Sequence, residues 1–430
     1  MSGNYFLYLT FIFYCFFSGC KSDTVVAPDE TVSFSKDILP IFANNCNFPG
    51  CHNPTDKPSG IDLTNWENVV IRGSDYGAEI IPYNSRWSHL MMHINRVDTA
   101  ISPFLEPLMP KANIPYTNGQ PLARNQIEKI KRWIDEGAKD DWGRVAYSDI
   151  TAKAFITNQA SDLVAVVNLE NNHLVRLIPV GGRADRLDAP HVIITDNQGR
   201  YFYVSLISEG YVEKYDAMTY ELKGRMFAGL SPAHIVISDD GTKGYVTNFD
   251  ATLTEKSIRV FDTQTMTITD IITEFRMTEP HGMRLTHNVT LLLMATERSE
   301  FLYIIRTSDN QITDVIPVDP SVPPNGNGTR NFIPYQVAIT PDDRYALVSC
   351  LKSNDVRVFD IQSRLFIRTI AVGVNPLALE VSPDGRWCYV PNRNSNSVTV
   401  IDVFGGHIKI KDIEMASFPA GISITPGKGN

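Results

Sequence analysis

The second half of the chain alternates apolar and polar positions with a period of two. Two of its runs read Ser257-Ile-Arg-Val-Phe-Asp262 and Asp355-Val-Arg-Val-Phe-Asp360, and polar turns rich in Gly, Asn and Asp separate such runs. This alternation puts every second side chain on one face, so it predicts half-buried antiparallel strands joined by tight turns. From Ala154 onward the strands recur in units of roughly forty to fifty residues, which is the period of propeller blades.

Apart from the first, each unit contains one strand that begins at a proline and leads into a polar turn. Six such strands predict six blades, with seven as the alternative. The first unit lacks its proline-led strand, and residues 419–425 form one without the rest of a unit, so pairing the two would close the ring and hide both edges. The six prolines are Pro190, Pro232, Pro280, Pro334, Pro376 and Pro419.

The first third of the chain follows a helical period instead. Residues 34–45 form a short amphipathic stretch, and Ile127, Ile130 and Ile134 recur at three- and four-residue spacing before Gly137. This spacing lines one face of a helix with apolar side chains, and glycine is a usual helix stop. The pattern therefore predicts a helical segment at 34–143 and a β-rich segment at 144–430.

An apolar run at residues 5–17 precedes Cys20. The run is too short to span a bilayer comfortably as a permanent helix, and with its following cysteine it resembles a bacterial lipoprotein signal. That resemblance implies a signal peptide at 1–20, lipidation of Cys20, a tether at 21–33, and an exported, membrane-anchored protein that is periplasmic or on the cell surface. No Lys or Arg precedes the run, so an ordinary signal peptide or anchor is the alternative.

Composition narrows the classes of function further. The chain has 430 residues, 43% of them hydrophobic, which suffices for two or three packed domains. Its formal charge of −9 and the lack of a basic, aromatic-rich patch predict that nucleic acid is not a partner. Cys350 and Cys388 fall inside predicted strands, where we expect buried thiols and no disulfide.

The stretch from Cys46 to His52 carries the chemistry of the first segment. Its order Cys46-Asn-Phe-Pro-Gly-Cys51-His52 supplies two thiols for thioether bonds to a porphyrin and an adjacent imidazole for its iron. Four residues separate the cysteines, where two are usual. A small disulfide loop and a pair of zinc ligands are the alternatives, and zinc is the weaker one because no second Cys/His pair lies nearby.

The sequence on either side of this stretch resembles one particular protein family. Residues 34–42, Gly60-Ile-Asp-Leu63, the Met109-Pro110 step and residues 127–138 occur in the order seen in the cytochrome c domain family first described in planctomycetes. The resemblance implies one covalently bound haem c held by Cys46 and Cys51, with His52 as the proximal ligand and Met109 as the distal one. Met91 and Met92 compete with Met109 but are interpreted as core residues, and His89 and His93 are the fallback distal ligands.

The second segment resembles the YVTN family of propeller repeats, because Tyr245-Val-Thr-Asn248 is echoed at residues 155–158, 203–205 and 389–392. Together the two resemblances imply a multidomain chain, in which a small all-α cytochrome c domain is followed by an all-β propeller with six blades, or seven.

Histidines near the starts of the proline-led strands are the candidates for a second site. His191 lies four residues before Thr195, and His234 lies four residues before Ser238, so we expect the two histidines to hold equivalent positions in their strands. By the same count, His281 lies one position earlier in its own strand, and Gln336 holds the equivalent position in the strand after that. Converging imidazoles could bind a metal or another cofactor in the propeller channel. The sequence alone favours the alternative, in which the symmetry of the ring groups histidines that only hydrogen-bond to one another and to water.

These observations favour an exported haem protein that carries single electrons between redox proteins of the cell envelope, with the propeller binding a partner or substrate. One alternative is an oxidoreductase whose propeller holds a metal or second cofactor fed by the haem. A non-redox binding or adhesion protein is the other. No phosphate-binding loop, carboxylate pair or Ser-His-Asp triad is apparent, so no catalytic residue is predicted.

Overall fold

The computed structural model describes residues 31–96, 99–111, 120–249, 256–321, 330–415 and Pro419. The predicted leader, Cys20 and nearly all of the predicted last strand at 419–425 therefore lie outside the described residues. Within the described ranges, no helix is both long enough and apolar enough to cross a membrane.

Short helical pieces make up the first segment. The sequence at 34–45 forms a π-helical turn that runs directly into helix α1, and Ser33 caps it by accepting a hydrogen bond from the Lys36 amide. The predicted later helix is α3, which ends before Gly137, where φ is +108°. The helical pieces are Phe34–Ile38, α1 (Leu39–Asn45), Pro58–Gly60, Glu67–Arg72, α2 (His89–Ile94) and α3 (Arg124–Asp135); the described part of the second segment adds the 3₁₀ turn Arg393–Ser395.

Antiparallel sheets make up the rest of the described chain, one with three strands and five with four, each formed by consecutive strands. The first three sheets contain β1 (Lys153–Asn158), β2 (Leu163–Asn168) and β3 (His173–Pro179); β4 (Pro190–Thr195), β5 (Tyr201–Leu206), β6 (Tyr211–Asp216) and β7 (Leu222–Phe227); and β8 (Pro232–Ile237), β9 (Lys243–Phe249), β10 (Lys256–Asp262) and β11 (Thr267–Ile272).

The last three sheets repeat this plan. They contain β12 (Pro280–Leu285), β13 (Leu291–Thr296), β14 (Phe301–Arg306) and β15 (Gln311–Pro317); β16 (Pro334–Ile339), β17 (Tyr345–Cys350), β18 (Asp355–Asp360) and β19 (Leu365–Ala371); and β20 (Glu380–Val381), β21 (Trp387–Asn392), β22 (Ser397–Asp402) and β23 (Ile408–Glu414).

The first strands of successive sheets lie side by side, so the sheets form a propeller-like array. Strand β4 contacts β8, β8 contacts β12, β12 contacts β16, and β16 contacts β20. We call these five the inner strands. Separate hydrophobic clusters fill the spaces between neighbouring sheets; Tyr203 and Phe261, for example, join the second and third sheets, and both are almost fully buried. Burial of each such side chain stabilises the fold by about 1.5–3 kcal/mol.

Four inner strands share a β-bulge immediately after their first proline. The pairing register shifts between Pro190 and Ile193, and it shifts in the same way in the other three. A bulge leaves an extra residue out of the ladder and re-aims its side chain. In three of the strands, a hydroxyl of the neighbouring strand meets the amide of the second residue after the proline: Ser205 accepts from Val192 at 3.1 Å, Thr247 from His234 at 3.0 Å and Ser349 from Gln336 at 3.2 Å.

The β-rich, propeller-like architecture predicted for the second segment is confirmed, but the prediction of a separate small all-α domain is wrong. The helical pieces are at most 12 residues long, and one continuous hydrophobic cluster joins Phe34 and Trp133 to Val164 and Phe202 of the first sheets. Helices this short each bury only a narrow apolar stripe, so they complete their core against the sheets. Both cysteines predicted as buried thiols, Cys350 and Cys388, are fully buried and free.

Candidate functional site

The unusual spacing of Cys46 and Cys51 is taken up by a tight turn. The Cys51 amide donates to the Phe48 carbonyl at 2.9 Å, and Gly50, at the third position of this turn, has a φ of +77°. Proline at the second position and a left-handed glycine at the third are the signature of a type II turn. The His52 amide then donates to the Cys46 carbonyl at 3.0 Å, which closes the loop between the first cysteine and the histidine.

Both thiols and the imidazole are neutral in this environment. Burial raises the pKa of the Cys46 thiol to about 12, with a smaller contribution from Cys51, and burial followed by the charge of Asp56 raises the pKa of Cys51. Burial also lowers the pKa of His52, although an interaction with the backbone of Ile61 opposes the change. Thiols with raised pKa values are poor nucleophiles, which argues against a catalytic cysteine.

Cys46, Cys51, His52 and Met109 all line one cavity of about 480 Å³. The structure therefore brings together the four residues that the sequence predicted as a haem site. The Met109 amide donates to the His93 carbonyl at 2.7 Å, which ties the methionine loop to helix α2. Apolar side chains form much of the remaining wall, among them Ile61, Leu63, Leu90, Ile94 and Leu105.

The alternative ligands are placed differently. Met91 is fully buried in the hydrophobic core, as expected of a core residue, whereas Met92 is only half-buried and is not part of that cluster; neither lines the cavity. His89 and His93 do line the cavity, since residues one turn apart share a helix face. The Nδ1 atom of His93 lies 3.0 Å from the Pro107 carbonyl and donates a hydrogen bond to it, so the free lone pair of this ring is on Nε2.

The residues present fit a haem. The cavity lies within the roughly 300–1,000 Å³ typical of cofactor pockets, and its walls are mostly apolar. The buried His52 Nδ1 has no hydrogen-bond partner in the part of the chain that the structure describes, and a buried polar atom without a partner points to a missing group. Cys46 and Cys51 are free thiols, the form that thioether attachment requires.

A second cluster lies on the inner strands of three consecutive sheets. His191 of β4, His234 of β8 and His281 of β12 present ligand atoms that all lie within 4.8 Å of one another. His281 is buried, with 4% of its surface exposed, whereas His191 and His234 are half-buried. The ring centroids of His234 and His281 are 4.5 Å apart, and each lies 6.3 Å from that of His191.

The predicted equivalence of His191 and His234 is wrong by one residue. The ladders pair Pro190 with Leu206 and Pro232 with Asn248, so His191 is the first residue after its proline and His234 is the second. His191 is therefore equivalent to His281, while His234 is equivalent to Gln336. The bulge explains why they still converge, because two consecutive side chains of a bulged strand turn to the same side.

All three imidazoles are held in the neutral form. Burial lowers the pKa of His281 to about 3 against the opposing effect of the Tyr335 carbonyl. Burial also lowers the pKa of His191, and it lowers that of His234 well below its usual value with help from the other two rings. A neutral imidazole has one nitrogen with a free lone pair, the form that binds metals.

Three neighbours of the cluster were missed by the sequence reasoning. The Tyr335 carbonyl lies 3.1 Å from His281 Nδ1, the Phe249 ring lies 5.4 Å from the His281 ring, and Glu297 Oε1 lies 3.8 Å from His281 Nε2. Burial and the nearby Glu279 raise the pKa of Glu297 to about 7. Tyr335 could have been found, because it is the first residue after its proline, as His281 is. Glu297 lies in a loop, and no repeat marks it.

Comparisons with known proteins leave the family open. No protein-family model matches the chain, and no curated protein matches it. Among solved structures, it is similar to a chain of hydrazine synthase from Kuenenia stuttgartiensis, with 18% sequence identity and a TM-score of 0.41 over 59% of this chain and 93% of that one. A similarity of this size carries no argument about family or activity.

Proposed function

We propose that this protein is an exported, lipid-anchored haem c protein that carries single electrons between redox proteins of the cell envelope. The observation that carries the proposal is the convergence of Cys46, Cys51, His52 and Met109 on one largely apolar cavity. Cys46, Cys51 and His52 share one loop, and the fold brings the distant Met109 loop to the same cavity. Their chemical types are the ones that covalent haem attachment and axial ligation need.

Each residue has a defined part in this proposal. Cys46 and Cys51 would hold the haem through thioether bonds, and the type II turn sets the separation of the two sulfurs. His52 and Met109 would ligate its iron. A haem held in this way would supply reversible one-electron transfer. The thioether of Met109 favours the ferrous state, and the apolar wall excludes water, so both would raise the reduction potential.

The propeller-like sheets would serve as the surface that binds a partner or substrate. The Tyr147 hydroxyl donates a hydrogen bond to the Ile71 carbonyl, and Arg176 donates to the Pro82 carbonyl at 3.2 Å. These contacts, like the shared core, fix the cavity relative to the first sheets. Lipidation of Cys20 would hold both parts at the membrane surface, where several acyl chains give a stable anchor.

The test is covalent haem attachment. The full chain is produced together with c-type haem maturation machinery, and its haem content is measured by visible spectra and by haem staining after denaturing electrophoresis. We expect one haem per chain that survives denaturation. The Cys46→Ala/Cys51→Ala variant should lose covalent haem, whereas Cys350→Ala, which removes a buried thiol from a sheet, should keep it. Absence of haem from correctly folded wild-type protein would overturn the proposal.

The distal ligand is tested by the spectrum and reduction potential of single variants. Met109→Ala should keep covalent haem but lower the potential and produce a high-spin component, because one axial position becomes open. His93→Ala should keep the wild-type spectrum. If His93→Ala alone changes the spin state, His93 is the ligand and the assignment of Met109 is wrong.

A further inference from the structure

The histidine cluster on the inner strands is spaced closely enough to hold one metal ion. In a tetrahedral site with metal–nitrogen bonds of about 2.0–2.1 Å, neighbouring ligand nitrogens lie about 3.3 Å apart. The ligand atoms of His191, His234 and His281 lie within 4.8 Å of one another. Small rotations of the rings therefore suffice to bring all three nitrogens to bonding distance of a shared ion.

His281 is already oriented as metal ligands are. A backbone carbonyl can only accept a hydrogen bond, so the 3.1 Å contact with Tyr335 places the proton on Nδ1 and leaves the lone pair on Nε2. Gly282 makes this contact possible, because a Cβ at that position would lie 2.4 Å from the Tyr335 carbonyl oxygen. The two inner strands can approach this closely only with glycine there.

The other two rings have no competing partner. Among the residues that the structure describes, no hydrogen bond is made by the ring nitrogens of His191 or His234. Repeat symmetry does not explain the cluster either, because His234 is offset by one residue and its own sheet has Ala233 at the position equivalent to His191. His234 joins the cluster from a different position of its strand than His191 and His281 do. This indicates that the close approach of the three rings serves a function and is not a by-product of the repeat.

We propose that His191, His234 and His281 bind one divalent transition-metal ion, zinc or copper. Imidazole nitrogen suits both ions, and three imidazoles leave at least one coordination position unfilled by these side chains. Because His191 and His234 keep contact with solvent, water or a small anion can occupy that position. Glu297, whose Oε1 lies 3.8 Å from His281 Nε2, is a carboxylate beside this position. The site uses none of the residues assigned to the haem.

The experiment measures metal binding by the full-length protein, produced without a histidine tag. After chelator treatment and dialysis, the protein is titrated with Zn²⁺ by calorimetry, and a second sample is loaded with Cu²⁺ for electron paramagnetic resonance. We expect one ion per chain and nitrogen hyperfine structure from three imidazoles. Tighter binding of Zn²⁺ or of Cu²⁺ tells which ion the site prefers.

Matched variants decide whether the cluster is responsible. His191→Gln and His234→Gln keep side-chain size and polarity, and each should weaken metal binding by about 100-fold. Even removal of a residue that only contacts a metal ligand weakens metal binding by up to about 100-fold. His287→Ala, which removes an exposed surface histidine, should bind like wild type. Stoichiometric binding that survives His191→Gln/His234→Gln, or no binding by folded wild-type protein, would overturn the proposal. Haem content should not change in these variants, so failure here is separate from failure of the haem proposal.

Discussion

The Arg357 guanidinium, on the third strand of the fifth sheet, connects two carboxylates. It donates to Asp319 at 2.8 Å and to Asp355 at 3.1 Å, and it lies 4.0 Å from the Phe332 ring. Ser321 adds a hydroxyl and an amide hydrogen bond to Asp319, at 2.6 and 2.9 Å. Burial alone would raise the pKa of Asp319, but these hydrogen bonds outweigh it and lower the pKa to about 2.

This arrangement predicts an acid-sensitive contribution to stability. The folded state binds the Asp319 proton more weakly than the unfolded state, whose carboxyl has a pKa near 3.8. The contribution is therefore complete above about pH 4 and is lost as the pH falls towards 2. Asp319→Asn should reduce the free energy of unfolding by about 1–2 kcal/mol at pH 7, and the difference from wild type should shrink below pH 4.

Urea unfolding at pH 7, 4 and 3 measures this difference. Asp185→Asn, which removes an exposed carboxylate, serves as the control for the change in net charge and should differ from wild type by at most about 0.5 kcal/mol. A pH-independent loss of stability in Asp319→Asn would show that the carboxylate acts through its shape and not its charge.

Residue types could be predicted from the sequence at both sites, but their exact alignment could not. Cys46, Cys51, His52 and Met109 could be singled out because the Cys-Cys-His order and the Met-Pro step are local signals; they line one cavity, and their part as haem ligands stays a prediction. The offset between His191 and His234 was missed, since a bulge shifts the register without changing the apolar–polar pattern that precedes the turn. The fold does not separate Met109 from His89 and His93 either, because all three residues line the cavity; the spectra of the single variants decide between them.

At the scale of the element, a serine in the second strand of two sheets stabilises its own sheet and the next one at once. Ser205 accepts from the Val192 amide of its own sheet at 3.1 Å and donates to the Ala233 carbonyl of the next sheet at 2.7 Å. Ser349 makes the same bridge, donating to the Leu377 carbonyl at 2.6 Å, and Thr157 donates to the His191 carbonyl at 3.3 Å. The repeated hydroxyl in the sequence thus has a structural cause.

Removing this hydroxyl should destabilise the array. Ser205→Ala leaves the buried Val192 amide and the Ala233 carbonyl without their partner, which costs about 1–3 kcal/mol. Ser205→Thr should restore most of the loss, because threonine occupies the equivalent positions 157 and 247. Thermal and urea unfolding of the three proteins measure the effect. A stability of Ser205→Ala equal to that of wild type would mean that water replaces the hydroxyl.

Elements were predicted best where the chain carries a strong period. The strands of the second segment and helices α1 and α3 follow from alternation and from three- and four-residue spacing. Ala123, the residue before helix α3, offers no side-chain cap. Only the Gln126 side chain completes its half of a capping box, by accepting a hydrogen bond from the Ala123 amide at 3.0 Å. The π-helical turn Glu67–Arg72 had no sequence signal, because its formation depends on packing of Val69 and Val70 into the core.

At the scale of the whole molecule, the shared core joins the cavity to the sheets. Besides the continuous hydrophobic cluster, the Arg176 guanidinium stacks 4.1 Å from the Tyr83 ring and donates to the Pro82 carbonyl. The sequence could not show this, since helical and strand periods mark elements but not which elements pack together. The predicted boundary at residues 143 and 144 therefore stays a prediction.

A shared core predicts that the two segments unfold together. Four of the five tryptophans lie in the first segment, so fluorescence reports mainly on it, whereas far-ultraviolet circular dichroism reports mainly on the strands. The two signals should give coincident urea transitions. Arg176→Ala should shift both transitions to lower urea together. A fluorescence transition clearly earlier than the dichroism transition would show that the segments are independent after all.

At the bulge of the inner strands, backbone hydrogen bonds maintain the fold, while the side chains are available to contact a ligand. The amide of the second residue after each of three inner-strand prolines is satisfied by a hydroxyl of the neighbouring strand, so the side chain there bears none of the ladder's hydrogen bonds. The corresponding residues already differ from sheet to sheet: His191, Ala233, His281 and Tyr335 at the first position, and Val192, His234, Gly282 and Gln336 at the second. A scaffold built this way can exchange the chemistry of its centre by point mutation while its register stays fixed, which makes new specificities accessible to evolution and to design.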